Sequence, residues 1–168
     1  MATLLADGYY LKAMENYPWE LSEALENLNY TLSYDPEHAG ANCLMGQLQM
    51  HYLKNYQAAE EYFEAAMASD PEYVCAWEHL VILYIHQKRM DRAQKVLEYA
   101  QRIPTMNRTF VLWAMSRILE TRYELSLAKR YLKAAFGEVF SWEEQDYLNA
   151  ELKRLKVKTK AWKKRKQR

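Results

Sequence analysis

Glycine and proline are scarce in this 168-residue chain, four of each, so few positions can break a regular backbone or take a left-handed turn without steric cost. Cysteine is scarcer still. Cys43 and Cys75 are far apart and form no Cys-x-x-Cys pair, which argues against a disulfide framework and for reduced thiols in a cytoplasmic setting. The longest apolar run, Leu80–Ile85, falls far short of the roughly 20 residues that cross a bilayer, so no membrane span is expected. The opening MATLLADGYYLKAMEN has neither a basic region nor a long apolar one, and no secretory signal is expected. The Asn-x-Thr matches at Asn29 and Asn107 then carry no glycosylation meaning.

Catalytic patterns are missing as well. The chain contains no glycine-rich phosphate loop, no His-Glu-x-x-His and no Cys/His spacing suited to a metal, and neither cofactor nor metal is implied. Ser126-x-x-Lys129 matches an acylase fragment by letters, but serine is expected at a helix start and no partner motif accompanies it. Glu60, Glu61 and Glu64 read as solvation. An enzyme is not expected.

What the chain does have is a charge asymmetry and a period. Residues 1–150 hold 13 Lys/Arg against 21 Asp/Glu, whereas residues 151–168 hold 10 against 1. An acidic body carries a basic tail. The dipeptide Asp35-Pro36 returns 35 residues later as Asp70-Pro71, followed both times by Glu. Counting back from Pro36, Thr31, Leu28 and Ala24 stand five, eight and twelve residues before it, and Ala66, Phe63 and Ala59 repeat those offsets from Pro71. Offsets of three and four keep side chains on one helical face. A third copy runs Ala93, Leu97, Ala100, with Pro104 one residue early, and a fourth has Ala128, Leu132, Ala135 and no proline.

A second helix precedes each of these. In the third copy it reads Trp77-x2-Leu80-Val81-x2-Tyr84; the second copy supplies Met45-Gly46, and the fourth Leu112, Met115, Ser116 and Leu119. The combined pattern resembles the tetratricopeptide repeat, a helix–turn–helix unit of about 34 residues. The resemblance covers about residues 3–137. It implies an all-α, right-handed superhelical stack of about four helical hairpins (repeats near 3–38, 39–73, 74–107 and 108–140, together a domain over 1–140), followed by a basic helix and tail at 141–168. The first copy departs most, with only seven residues from Tyr17 to Ala24 and Pro18 inside the connection; helices are expected over roughly Thr3–Glu15 and from near Pro18. Between repeats, Asp is expected to cap the following helix and Pro to occupy its first turn. A long capping helix should open at Ser141-Trp142-Glu143-Glu144, a capping-box pattern, with Leu148, Leu152, Leu155 and Trp162 along one stripe.

In this family the first helix of each pair lines a concave surface that receives peptides. The resemblance, with repeat starts at Ala39, Val74 and Thr109, implies a partner-binding groove formed by Gln47, His51, Glu78, Ile82, His86, Trp113 and Arg117. Polar members would fix register while Ile82 and Trp113 supply area. His51 and His86 fall at equivalent repeat positions, which would bring them near each other. A carboxylate clamp of the chaperone-binding subclass is not expected, because the positions after Lys12 and Asn16 become Leu44, Cys75 and His79.

The implied function is a non-catalytic cytoplasmic scaffold for a protein or peptide partner. The alternative is a nucleic-acid- or ribosome-associated protein, in which Lys153, Arg154, Lys156, Lys158, Lys160, Lys163, Lys164, Arg165 and Lys166 contact phosphates and Trp162 stacks on a base. Two further readings stay open: the tail docks in an acidic groove of its own or another chain, or its apolar stripe supports self-association.

Overall fold

The computed structural model describes residues 2–139 and 141–166. The helices in order are α1 (Ala2–Asn16), α2 (Leu21–Tyr34), α3 (Ala39–Leu48), α4 (Tyr56–Ser69), α5 (Val74–His86), α6 (Met90–Ala100), α7 (Arg108–Thr121), α8 (Leu125–Ala135) and α9 (Trp142–Lys166). No strand occurs among the described residues, and the all-α expectation holds. The chain forms two compact units, Met1–Leu83 and Tyr84–Arg168.

In the first unit α1 packs on α2 and α3 on α4. The repeated triplets explain why. Ala24, Leu28 and Thr31 of α2, and Ala59, Phe63 and Ala66 of α4, have no exposed surface. Small residues let a neighbouring helix approach, and the large one fills the gap between. Thr31 can be buried because its hydroxyl donates to the Asn27 carbonyl at 2.9 Å. Gly46 provides the matching recess on α3: a Cβ there would lie 2.6 Å from the Phe63 ring. In the second unit Ala93, Leu97 and Ala100 of α6, and Ala128, Leu132 and Ala135 of α8, are equally buried.

The Asp-Pro punctuation works differently from expectation. Asp35 and Asp70 follow the last residues of α2 and α4, each backbone N–H bonding back to Thr31 and Ala66. Their carboxylates then accept from the N–H of Glu37 and Glu72, at 3.2 and 3.0 Å. His38 and Tyr73 close a turn by donating to the Asp carbonyls. Asp thus ends one helix instead of starting the next, and Pro sits at the second position of a β-turn, where its fixed φ is favoured. The start of α3 is capped by His38, whose Nδ1 accepts from the Ala41 N–H at 3.0 Å. The sixth residue after each proline completes the device: Asn42 Nδ2 donates to the Pro36 carbonyl and Trp77 Nε1 to the Pro71 carbonyl, both at 2.9 Å. Likewise α2 starts at Leu21, three residues after Pro18, and the Tyr17–Pro18 peptide is cis.

A second recurring device was not visible in the sequence. Lys54, Lys88 and Tyr123 take left-handed backbone angles, with φ of 55°, 60° and 60°. Each stands between the first and second helix of a pair, at nearly the repeat spacing. A side chain there costs about 1–2 kcal/mol relative to right-handed backbone, and glycine would relieve most of it. Lys88→Gly is therefore expected to raise stability by about 0.5–1 kcal/mol. The thermal midpoint should climb by roughly 2–4 °C per kcal/mol; an unchanged or lower midpoint would contradict the assignment.

The second unit ends in α9. Ser141 Oγ accepts from the Glu144 N–H at 3.2 Å, starting the helix as its sequence suggests. Leu148 and Leu155 of α9 join Leu119, Leu125, Ala128, Leu132 and Ala135 in one buried cluster, with Leu152 and Trp162 packed at its edge. The apolar stripe is therefore consumed within the chain, against α7 and α8.

Candidate functional site

In the first unit the residues predicted for the groove lie on α3, α5 and the turn after α3. Gln47 and Glu78 are half-buried, as is Ile82, while their neighbours Leu48, Leu80 and Val81 go fully inside. Burial pushes the Glu78 carboxyl above its ordinary value, and the neighbouring Cys75 adds to the shift. His51 is exposed and stands in a single π turn, Gln49–Leu53, that continues α3. Its ring lies 6.2 Å from that of His79, edge-on. His79 in turn stacks on Phe63 at 5.7 Å.

The same surface holds a contact that the sequence reading passed over. Cys43 and Cys75 are both free thiols, and their sulfurs are 3.4 Å apart. Gln47 Nε2 lies 3.6 Å from the first and 3.7 Å from the second. The Cys43 S–H donates to Cys75, which lowers the Cys75 pKa and raises that of Cys43; burial opposes the first shift and adds to the second. His79, one turn along α5, favours the Cys75 thiolate further. The expectation that these cysteines stand apart holds along the chain only. Their separation of 32 residues, just under one repeat, was the available signal, since it brings adjacent first helices together.

In the second unit, His86 is exposed at the end of α5, and Trp113 and Arg117 are half-buried on α7. The latter two face the chain's own last helix. The Trp113 ring is 6.4 Å from Tyr147, and Arg117 Nη1 lies 3.3 Å from a Glu151 oxygen. Beside them Glu120, whose side chain is only 6% exposed, accepts two hydrogen bonds from Arg154 at 2.6 Å and one from Lys158 at 2.9 Å. Burial alone would raise the Glu120 carboxyl. The bonds from Arg154 and Lys158 outweigh it and hold the pKa at about 2. The same pairing raises Arg154 above the ordinary guanidinium value.

This arrangement divides the basic tail. Arg154 and Lys158 neutralise Glu120, and Trp162 stacks on Tyr123 with ring centres 4.4 Å apart. Lys153, Lys156, Lys160, Lys163, Lys164 and Arg165 are exposed along α9. Lys166 closes the helix, and its side chain lies outside the described residues. No helix among the described residues is long and apolar enough to cross a membrane. No group of three or more His, Cys, Asp or Glu side chains among them is placed to hold a metal ion.

With this geometry in place, comparison with known proteins is informative. A family model for the tetratricopeptide repeat matches residues 53–102. The Drosophila melanogaster protein O-mannosyl-transferase Tmtc3 is 26% identical over 81 residues, 48% of this chain and 9% of that protein. The chain thus spans a small fraction of that relative. Among solved structures, Pseudomonas aeruginosa PilF superposes with a TM-score of 0.80 at 18% identity, covering 96% of this chain and 72% of that one. PilW, described as a widely conserved type IV pilus biogenesis factor, gives 0.73 at 20% identity over 93% and 72%. At such identities the superpositions speak for the fold alone. The buried small-large-small triplets on α2, α4, α6 and α8, together with the match over residues 53–102, show an all-α repeat that contains a tetratricopeptide-repeat segment at residues 53–102.

Proposed function

We propose that the chain is a non-catalytic scaffold that binds an extended segment of a protein partner on the face presented by its first helices. Gln47 and Glu78 would fix the register and Ile82 would supply apolar contact. The observation that carries this reading is the contrast in burial on α3 and α5: Leu48, Leu80 and Val81 fill the core, whereas Gln47, Glu78 and Ile82 stay half-buried at its surface. Such a face offers hydrogen-bonding groups beside apolar area, which is what peptide recognition requires. A cytoplasmic location belongs to the same reading. The polyanion alternative rests on the exposed cations Lys153, Lys156, Lys160, Lys163, Lys164 and Arg165 of α9 and loses its aromatic platform, because Trp162 is stacked on Tyr123; it stands second.

The paired substitution Glu78→Lys and Ile82→Ser tests the first reading. Helical content by circular dichroism should be unchanged, while the protein captured from native lysate falls by at least about 10-fold, as expected when about 1.4 kcal/mol or more of contact energy is lost. Full capture by the substituted chain would overturn the assignment.

A further inference from the structure

The paired thiols on α3 and α5 support an inference independent of partner binding. Cys43 is 1% exposed, and Cys75 is partly open to solvent. Their sulfurs are 3.4 Å apart, about 1.4 Å more than a disulfide bond. Gln47 presents its amide to both sulfurs. The His79 ring, one turn from Cys75 on α5, favours the charged form of that thiol. Tyr10 and Tyr73 complete the titratable surroundings with Glu78.

We propose that Cys43 and Cys75 form a peroxide-reactive dithiol, in which Cys75 attacks a small hydroperoxide and Cys43 resolves the product as a disulfide joining α3 to α5. The assignment of roles follows from access and charge. Cys75 is the less buried of the two residues, and it receives the S–H of Cys43, so the negative charge is favoured on Cys75. In the first step the Cys75 thiolate attacks the terminal peroxide oxygen. The O–O bond breaks, an S–O bond forms, and the alkoxide or hydroxide leaves and takes a proton from water. In the second step Cys43 sulfur attacks the Cys75 sulfenic acid, and its proton leaves with the hydroxyl as water. Two electrons pass from the thiols to one peroxide. The product pins two first helices together beside Gln47 and Glu78.

The test uses the reduced full chain treated with equimolar hydrogen peroxide, then blocked with a maleimide. Expected is a monomer two hydrogen masses lighter that takes up no maleimide, with a peptide map joining Cys43 to Cys75. Cys43→Ser should accumulate a Cys75 sulfenic acid that dimedone traps, and Cys75→Ser should lose its remaining thiol at least about 10-fold more slowly. The proposal fails if both thiols of the native chain still take up maleimide, or if its oxidised sulfurs appear as separate sulfinic acids. It fails too if a folded Cys75→Ser chain reacts as fast as the native one. Should either variant not fold, the peptide map of the native chain decides alone.

Discussion

Replacing Glu120 by glutamine is expected to remove about 2–4 kcal/mol from the stability of the second unit and to loosen the C-terminal half of α9. The range starts from the roughly 3–5 kcal/mol lost when one partner of a buried ion pair is removed. It is lowered because Arg154 and Lys158 are 41% and 38% exposed, and water partly compensates them. Arg154 also keeps its bonds to Glu151, at 3.1 and 3.0 Å. The effect should depend on pH in a defined direction. Because the folded-state pKa of Glu120 is depressed from 4.5 to about 2, its contribution is complete above the ordinary carboxylate range. It disappears as pH falls from about 4.5 toward 2. Urea unfolding followed by circular dichroism should show a wide gap between native and substituted chains at neutral pH, and that gap should close over this window. A gap that is absent at neutral pH, or that persists in acid, would show that Glu120 does not hold α9.

Gly46→Ala should be nearly as costly in the first unit, at about 2–3 kcal/mol, in the range for overpacking a well-filled core. The added methyl would meet Phe63 Cε1 at 2.6 Å and Cδ1 at 2.7 Å. Phe63 has no exposed surface and is stacked against His79, so it has little room to move. Phe63→Ala alone should cost roughly 3–5 kcal/mol, mostly through the cavity it leaves. The informative experiment is the double cycle. In the Phe63→Ala background the methyl at position 46 has space, and its cost should drop below about 1 kcal/mol. Strictly additive losses in chemical denaturation would mean that the two residues do not share a packing site.

These two sites differ in how far the sequence announced them. Gly46 and Phe63 belong to the repeat pattern, and the period places both on facing helices before any coordinates are seen. The buried triplets were legible for the same reason: a face spaced by threes and fours has to go inside. Glu120 was legible only as a first-helix residue. Its partners Arg154 and Lys158 lie 34 and 38 residues downstream on a helix outside the repeats, and no local pattern links them. The Asp-Pro step was seen, but its direction was not, because Asp serves equally well before a helix and at the start of a β-turn. The π turn over Gln49–Leu53, which carries His51, likewise has no counterpart in the repeat pattern. The cysteine pair escaped notice because its significance depends on two first helices lying side by side.

The proposed function places a protein partner against the first-helix face. Photo-crosslinking in native lysate tests it most directly, with a benzophenone side chain placed at Ile82 on α5 and, separately, at the exposed Glu61 on α4. The account predicts a discrete crosslinked protein from position 82 and none of that mass from position 61. Equal crosslinking from both positions, or crosslinking from position 61 alone, would contradict it.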